Sequence, residues 1–271
     1  MPVINTNVSA LYSQNSMKVN ARAMSSAMEQ LSTGSRVNSA KDDAAGLAIG
    51  QNMTAQIRGL NQAVRNANDG INMMQTAEGA MVEQSNMLQR MRELAVQSGN
   101  GTYSLTQRSY LNTEFSALTS QISSVASQTT WNGTAMISGA TTSFSFQVGQ
   151  SSGHTIAVTV SAMTTANLGV SALTINTAAS ASGTLVTIDS ALDKINNQRA
   201  VIGAGVNRLT YAADNITNVS ANVTASRSSI MDTDYASAST ALSKTQIIQQ
   251  AATAMLAQAN QQPQSVLALL K

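Results

Sequence analysis

The chain has no cysteine, one histidine, two prolines among 271 residues, and only 3% aromatic residues. Without cysteine there is no disulfide framework, no thiol nucleophile and no thiolate metal site. His154 stands beside a glycine-rich turn with no nucleophile or ligand set near it in sequence, so nothing supports histidine chemistry. No glycine-rich phosphate loop is present either. These absences point away from an enzyme and from any cofactor. Charged residues make up 10%, against about 25% in ordinary soluble proteins. The formal net charge of +2 gives no electrostatic reason to expect nucleic acid as a partner. No run of 18 apolar residues occurs, so no membrane span is expected. Residues 1–14 lack a basic region followed by an apolar one, so no cleavable signal peptide is expected there. The prolines, Pro2 and Pro263, lie at the extremes, and everything between them is free of proline's bar on helix.

What is present is 43% apolar content, carried by Ala, Leu, Ile, Val and 14 Met. Ser, Thr, Asn and Gln stand where charges usually do. A surface so poor in charge repels its own copies weakly, which suits dense self-association.

The longest pattern runs from Leu185 to Ile230. Alternate steps of three and four reach Leu185, Ile188, Leu192, Ile195, Arg199, Ile202, Val206, Leu209, Ala213, Ile216, Ser220, Val223, Arg227 and Ile230. Eleven of the fourteen are apolar, where the chain's 43% average would give about six. Such a run is the heptad signature of a helix packed lengthwise on others. A second run, from Met53 through Ile57, Leu60, Val64, Ala67, Ile71, Met74, Glu78, Met81, Ser85, Leu88 and Arg92 to Ala95, keeps the same step. Its phase passes unchanged through Asn68-Asp69-Gly70, so one helix is predicted despite that turn signal. A row beside it, including Met73, Ala77, Met87, Met91 and Leu94, implies a second neighbour. Glu78 and Arg199 lie on otherwise apolar stripes and are predicted to pair across antiparallel helices.

Shorter elements fill the rest. Val8, Leu11, Met24, Met28 and Leu31 mark an opening helix ending near Thr33-Gly34. Asp42 and Asp43 suit the start of the next one. Leu111, Phe115, Leu118, Ile122 and Val125 form a short third helix, closed by Trp131-Asn132-Gly133. From about residue 140 the period becomes two: Phe144, Phe146 and Val148, then Ile156, Val158 and Val160, flank a turn at 149–153 and read as a β-hairpin over 140–162. Asn176 to Gly183 reads as a polar linker. Gly203 and Gly205, inside the long helix, suggest close approach of a neighbour. Asp232-Thr233-Asp234 breaks the chain before a last helix with the stripe Ala238, Ala241, Thr245, Ile248, Ala252, Met255 and Ala259. Pro263 is predicted to end it, and Val266, Leu267, Leu269 and Leu270 follow. The fold class is mainly α: a long antiparallel helical bundle with a small hairpin.

Several segments resemble bacterial flagellin. They are Ile4-Asn5-Thr6-Asn7, LSTGSRVNSAKDDAAGLAI (Leu31 to Ile49), LQRMRELAVQS (Leu88 to Ser98), FSFQVG (Phe144 to Gly149), RAVIGAGVNRL (Arg199 to Leu209) and QIIQQAATAMLAQANQQPQSVLALL (Gln246 to Leu270). The resemblance implies a terminal coiled coil, D0, from 1–42 with 232–271. It implies a helical layer, D1, over 43–231, and no outer D2 or D3 domain. It implies a secreted, extracellular subunit that polymerises into the flagellar filament for motility. Implied partners are further copies of the chain, a secretion chaperone, the hook–filament junction and filament cap proteins, and a host Toll-like receptor of innate immunity. By resemblance the receptor contacts fall on Arg90, Leu94 and Glu114. The assembly residues fall on Ile4, Val8, Leu11, Leu31, Ile248, Met255, Leu267, Leu269 and Leu270. A hook–filament junction protein, which by resemblance shares flagellin-like ends, is the nearest alternative, and a secreted binding protein acting on host cells is an alternative of a different class.

Overall fold

The computed structural model describes residues 6–269, with side chains to Gln261. Its elements in order are α1 (Val8–Thr33), α2 (Ala44–Gly99), α3 (Leu105–Gln128), β1 (Thr130–Trp131), β2 (Thr134–Ala135), β3 (Thr142–Gln147), β4 (Thr155–Val160), α4 (Thr165–Leu168), α5 (Ala178–Met231) and α6 (Tyr235–Leu269). Two compact units result: residues 58–220, and residues 1–57 with 221–271. The dividing points lie inside α2 and α5, not at the connectors flanking those helices.

In the unit of residues 58–220, α2 and α5 run antiparallel. The hydroxyl of Ser220 meets Asn61 at 3.2 Å, Arg199 meets Glu78 at 3.5 Å and Arg92 meets Asp189 at 2.7 Å, so rising positions on one helix meet falling positions on the other. The two long stripes are therefore whole helices, and the Glu78–Arg199 pair forms. Asn68 and Asp69 face solvent, while Gly70 is buried. A Cβ on Gly70 would lie 2.8 Å from the Phe146 ring, so the turn-like triplet is kept for a packing reason. Gly205 plays the same part on α5, where a Cβ would lie 2.7 Å from Val158. Gly203 has open space around it, and the expected close approach does not occur there.

The hairpin pairs Phe144 with Val158 and Phe146 with Ile156. Its apolar side chains join a core of Met74, Met81, Leu88, Met91, Phe115, Ile122, Ile188, Ile195 and Ile202. The deepest line on α5 is Thr184, Ile188, Ala191, Ile195, Gln198, Ile202 and Gly205. Leu185, Leu192 and Val206 are only partly buried beside it. The polar member Gln198 is tolerated in this line because it meets backbone: it donates to the Thr159 carbonyl at 2.9 Å and accepts from Ser161 N–H at 3.2 Å.

Two further departures from the sequence expectations have local causes. Asn176 to Gly183 is not a linker, because α5 already starts at Ala178. Thr177 and Ser180 cap each other's backbone N–H at 3.1 Å, which fixes the first turn. Trp131-Asn132-Gly133 is more than a stop. Asn132 (φ 46°) and Gly133 (φ 78°) form the two-residue turn joining β1 to β2, as Asn-Gly favours. Residues 161–177 are packed, with Met163, Leu168, Val170 and Ile175 buried. The amide of buried Gln84 donates to the Met163 carbonyl at 2.9 Å and helps hold this segment down.

In the other unit, α1 and α6 pair. Asn7 meets Ala259, Asn20 meets Thr245 and Ser35 bridges Asp232, so the pair is antiparallel. Gly34 (φ 71°) ends α1, and its carbonyl accepts from Thr233 N–H at 3.0 Å. Asp42 accepts from both the hydroxyl and the N–H of Ser39, and Asp43 accepts from Gly46 N–H at 2.8 Å. These carboxylates are turn and cap groups at the start of α2. Asp234 does the same for α6, accepting from Ala236 N–H at 2.9 Å.

Pro263 does not end α6, which continues to Leu269. Ile4 and Leu270 lie outside the described residues, as do the side chains of Val266, Leu267 and Leu269.

Candidate assembly surfaces

The less exposed positions of α1 include Ala10, Ser13, Met17, Asn20, Met24, Ala27 and Leu31, again in steps of three and four, with Ala21 and Gln30 beside them. Those of α6 are Ala238, Leu242, Thr245, Gln249, Ala252, Leu256 and Ala259. This seam is small and partly polar. Asn20 is 7% exposed, and its amide donates to the Thr245 carbonyl at 2.8 Å and to the Gln249 side chain at 3.2 Å. A buried Asn in a heptad seam fixes register at some cost in stability.

Every second residue of the expected α6 stripe is off by one. Ala241, Ile248 and Met255 face solvent, while Leu242, Gln249 and Leu256 take the seam. The apolar residues were the natural choice from sequence, but Gln249 is satisfied inside by Asn20. On α1 the correction is similar. Met24 and Leu31 lie in the seam, whereas Val8, Leu11 and Met28 are exposed. The pair therefore exposes apolar side chains outside its seam: Val8, Leu11, Tyr12 and Val19 on one helix, and Ile247, Ile248 and Met255 on the other. Met255 is 63% exposed and Leu11 56%.

Arg90, Leu94 and Glu114 are not equivalent. Arg90 meets Glu114 at 2.9 Å and Glu93 at 3.0 Å, all three well exposed. The hydrogen bond to Glu114 leads the causes that raise the Arg90 pKa, so the guanidinium is charged throughout. Leu94 is 1% exposed and belongs to the core. A spacing of four puts Arg90 and Leu94 on one side of α2, but Leu94 lies within the core cluster, which the spacing cannot reveal. The structure thus presents Arg90 and Glu114 together and Leu94 beneath the surface.

Comparison with known proteins agrees with this architecture. The bacterial flagellin N-terminal helical region matches residues 4–142 and the C-terminal helical region matches 185–270. A flagellin of Halalkalibacterium halodurans is 43% identical over 274 residues, covering 99% of this chain and all of that protein. The flagellar filament 33 kDa core protein of Treponema phagedenis is 41% identical over 285 residues, with the same coverage. Among solved structures, a putative flagellar hook-associated protein from Vibrio parahaemolyticus superposes with a TM-score of 0.60 over 70% of this chain and 100% of that one, at 17% identity, a likeness of fold alone. With both helical regions matched, and with relatives of similar length leaving no room for large outer domains, the chain belongs to the bacterial flagellin family, the structural subunits of the extracellular flagellar filament.

Proposed function

We propose that the terminal helices, residues 1–42 and 232–271, are the element that drives polymerisation, and that residues 43–231 form the layer they carry. The observation behind this is the exposed apolar surface of the α1–α6 pair, Val8, Leu11, Ile248 and Met255 among it. Burying apolar area contributes about 25 cal/mol per Å², whereas ordering backbone costs about 1–2 kcal/mol per residue. A seam in which Ala, Ser, Asn and Gln alternate with half-buried Met17, Met24, Leu31, Leu242 and Leu256 offsets only part of that cost within one chain. Further copies covering the exposed apolar side chains supply the rest, so roughly the first and last 40 residues order as the subunit joins the filament. Ile4, Leu31, Leu267, Leu269 and Leu270 belong to the same element. Before assembly a secretion chaperone covers the C-terminal part, and the junction and cap proteins meet the same ends at the filament's limits. Deleting Gln246 to Lys271 tests this. The truncated chain should stay soluble with its bundle intact and add to no seed; growth on seeds would refute it.

The second part of the proposal is recognition by a host Toll-like receptor through the exposed Arg90 and Glu114, with Leu94 supporting them from below. Leu94→Ala would open a cavity in the core, so the informative variant is Arg90→Ala with Glu114→Ala. Its monomer should signal much more weakly than the unaltered monomer in receptor-bearing cells, at unchanged thermal stability. Equal signalling would remove this part of the reading.

A further inference from the structure

Proline has no N–H, so in a helix it leaves the carbonyl four residues earlier without its donor. For Pro263 that carbonyl belongs to Ala259. The Ala259 carbonyl nevertheless accepts a hydrogen bond of 2.8 Å, from the side-chain N–H of Asn7 at the start of α1. The oxygen of the same Asn7 amide accepts from Ala10 N–H at 3.1 Å and caps α1. One side chain thus serves both helices: its oxygen starts α1, and its nitrogen supplies the donor that Pro263 withholds from α6. Beyond the proline, α6 continues to Leu269.

We propose that Asn7 is the group that carries α6 through Pro263, and that it couples the two chain ends so that neither forms its last turns alone. Without α1 in place, the Ala259 carbonyl turns to water and the helix frays at Pro263. Without α6, the cap on α1 keeps only half its partners. A helix with alanine in place of Pro263 would be complete by itself and would not need the other end. The proline and the asparagine together make pairing of the termini a condition for the helix beyond residue 263. The inference rests on the reading of α1 and α6 as the polymerising element, and adds a residue-level switch to it.

A double-mutant cycle in the full-length chain tests this. Asn7→Asp keeps the oxygen that caps Ala10 and removes the donor to Ala259. Pro263→Ala restores that donor from the backbone. Two quantities are measured on seeded samples: the critical concentration for growth, and amide hydrogen exchange of residues 264–269 in the filaments formed. Asn7→Asp alone should raise both, by about fivefold for the loss of one hydrogen bond. In the Pro263→Ala background the same substitution should change neither appreciably. An undiminished effect of Asn7→Asp in that background would overturn the coupling and leave Asn7 a cap only. No effect of Asn7→Asp with Pro263 in place would overturn it as well. Asn7→Ala, which removes cap and donor together, provides the control: combined with Pro263→Ala it should retain only the cap's share. A cycle visible in exchange but absent from the critical concentration would uphold the clamp and refute the assembly reading, so the two fail separately.

Discussion

The helical bundle of residues 58–220 and the terminal unit formed by 1–57 with 221–271 are built from the same heptad step but finish differently. In the bundle the step places Met74, Met81, Leu88, Ile188 and Ile195 inside at 0% exposure, joined there by Phe115. In the terminal unit, among the described residues, the buried apolar side chains are only Ala10, Ala27, Val37 and Ala238. Larger ones such as Leu11, Ile247 and Met255 stay in solvent. The period decides that helices pair; the size of the residues on the seam decides whether the pair is complete. A Met and Ile seam closed by a third helix and a hairpin needs nothing more. A seam whose fully buried apolar members are alanines, with its Met and Leu only half-buried, brings two helices together and leaves apolar side chains for other copies to cover.

The contrast can be broken from either side. Phe115→Ala empties the bundle core and should cost about 3–5 kcal/mol in denaturant unfolding. Gly205→Ala puts a methyl 2.7 Å from Val158 and should cost about 1–3 kcal/mol through displacement of the hairpin. Its neighbour provides the control, since Gly203→Ala meets nothing within 4 Å and should stabilise α5 by up to about 1 kcal/mol. Val8→Ser with Ile248→Ser should change monomer stability by no more than about 0.5 kcal/mol per site, yet raise the critical concentration for growth; unchanged growth would mean that this surface is idle. The smallest effect concerns Asp42, whose carboxyl is held below its ordinary value chiefly by the Ser39 hydroxyl. A depressed folded pKa means that the contribution is present above the unfolded value, about 3.9. It is lost as pH falls through the lower folded value. Asp42→Asn should flatten that acid limb slightly, lowering neutral stability by a small amount and matching the parent at low pH.

Most of this architecture was legible in the sequence because long stripes average over errors. The two long helices, the hairpin and the Glu78–Arg199 pair all followed from period and phase. The legible part ended where a polar side chain finds a partner that spacing cannot show. Gln249 lies inside because Asn20 meets it, Gln198 because it holds the hairpin backbone, and Pro263 is passed because Asn7 supplies a donor from the other end of the chain. Leu94 illustrates the opposite limit, since a residue can share a helix face with exposed Arg90 and still lie in the core. Two signals were present but unread. Asn132-Gly133 is a hairpin turn, and the scattered Met163, Leu168, Val170 and Ile175 mark a packed segment without a period.

The central claim is that the bundle is finished in the single chain whereas α1 and α6 are finished only in the filament. Amide hydrogen exchange, compared residue by residue between monomer and filament, tests it most directly. Residues 188–216 should be strongly protected in both states. Residues 8–33 and 235–269 should exchange freely in the monomer and become protected in the filament. Protection of the terminal helices in the monomer equal to that of residues 188–216 would contradict the account.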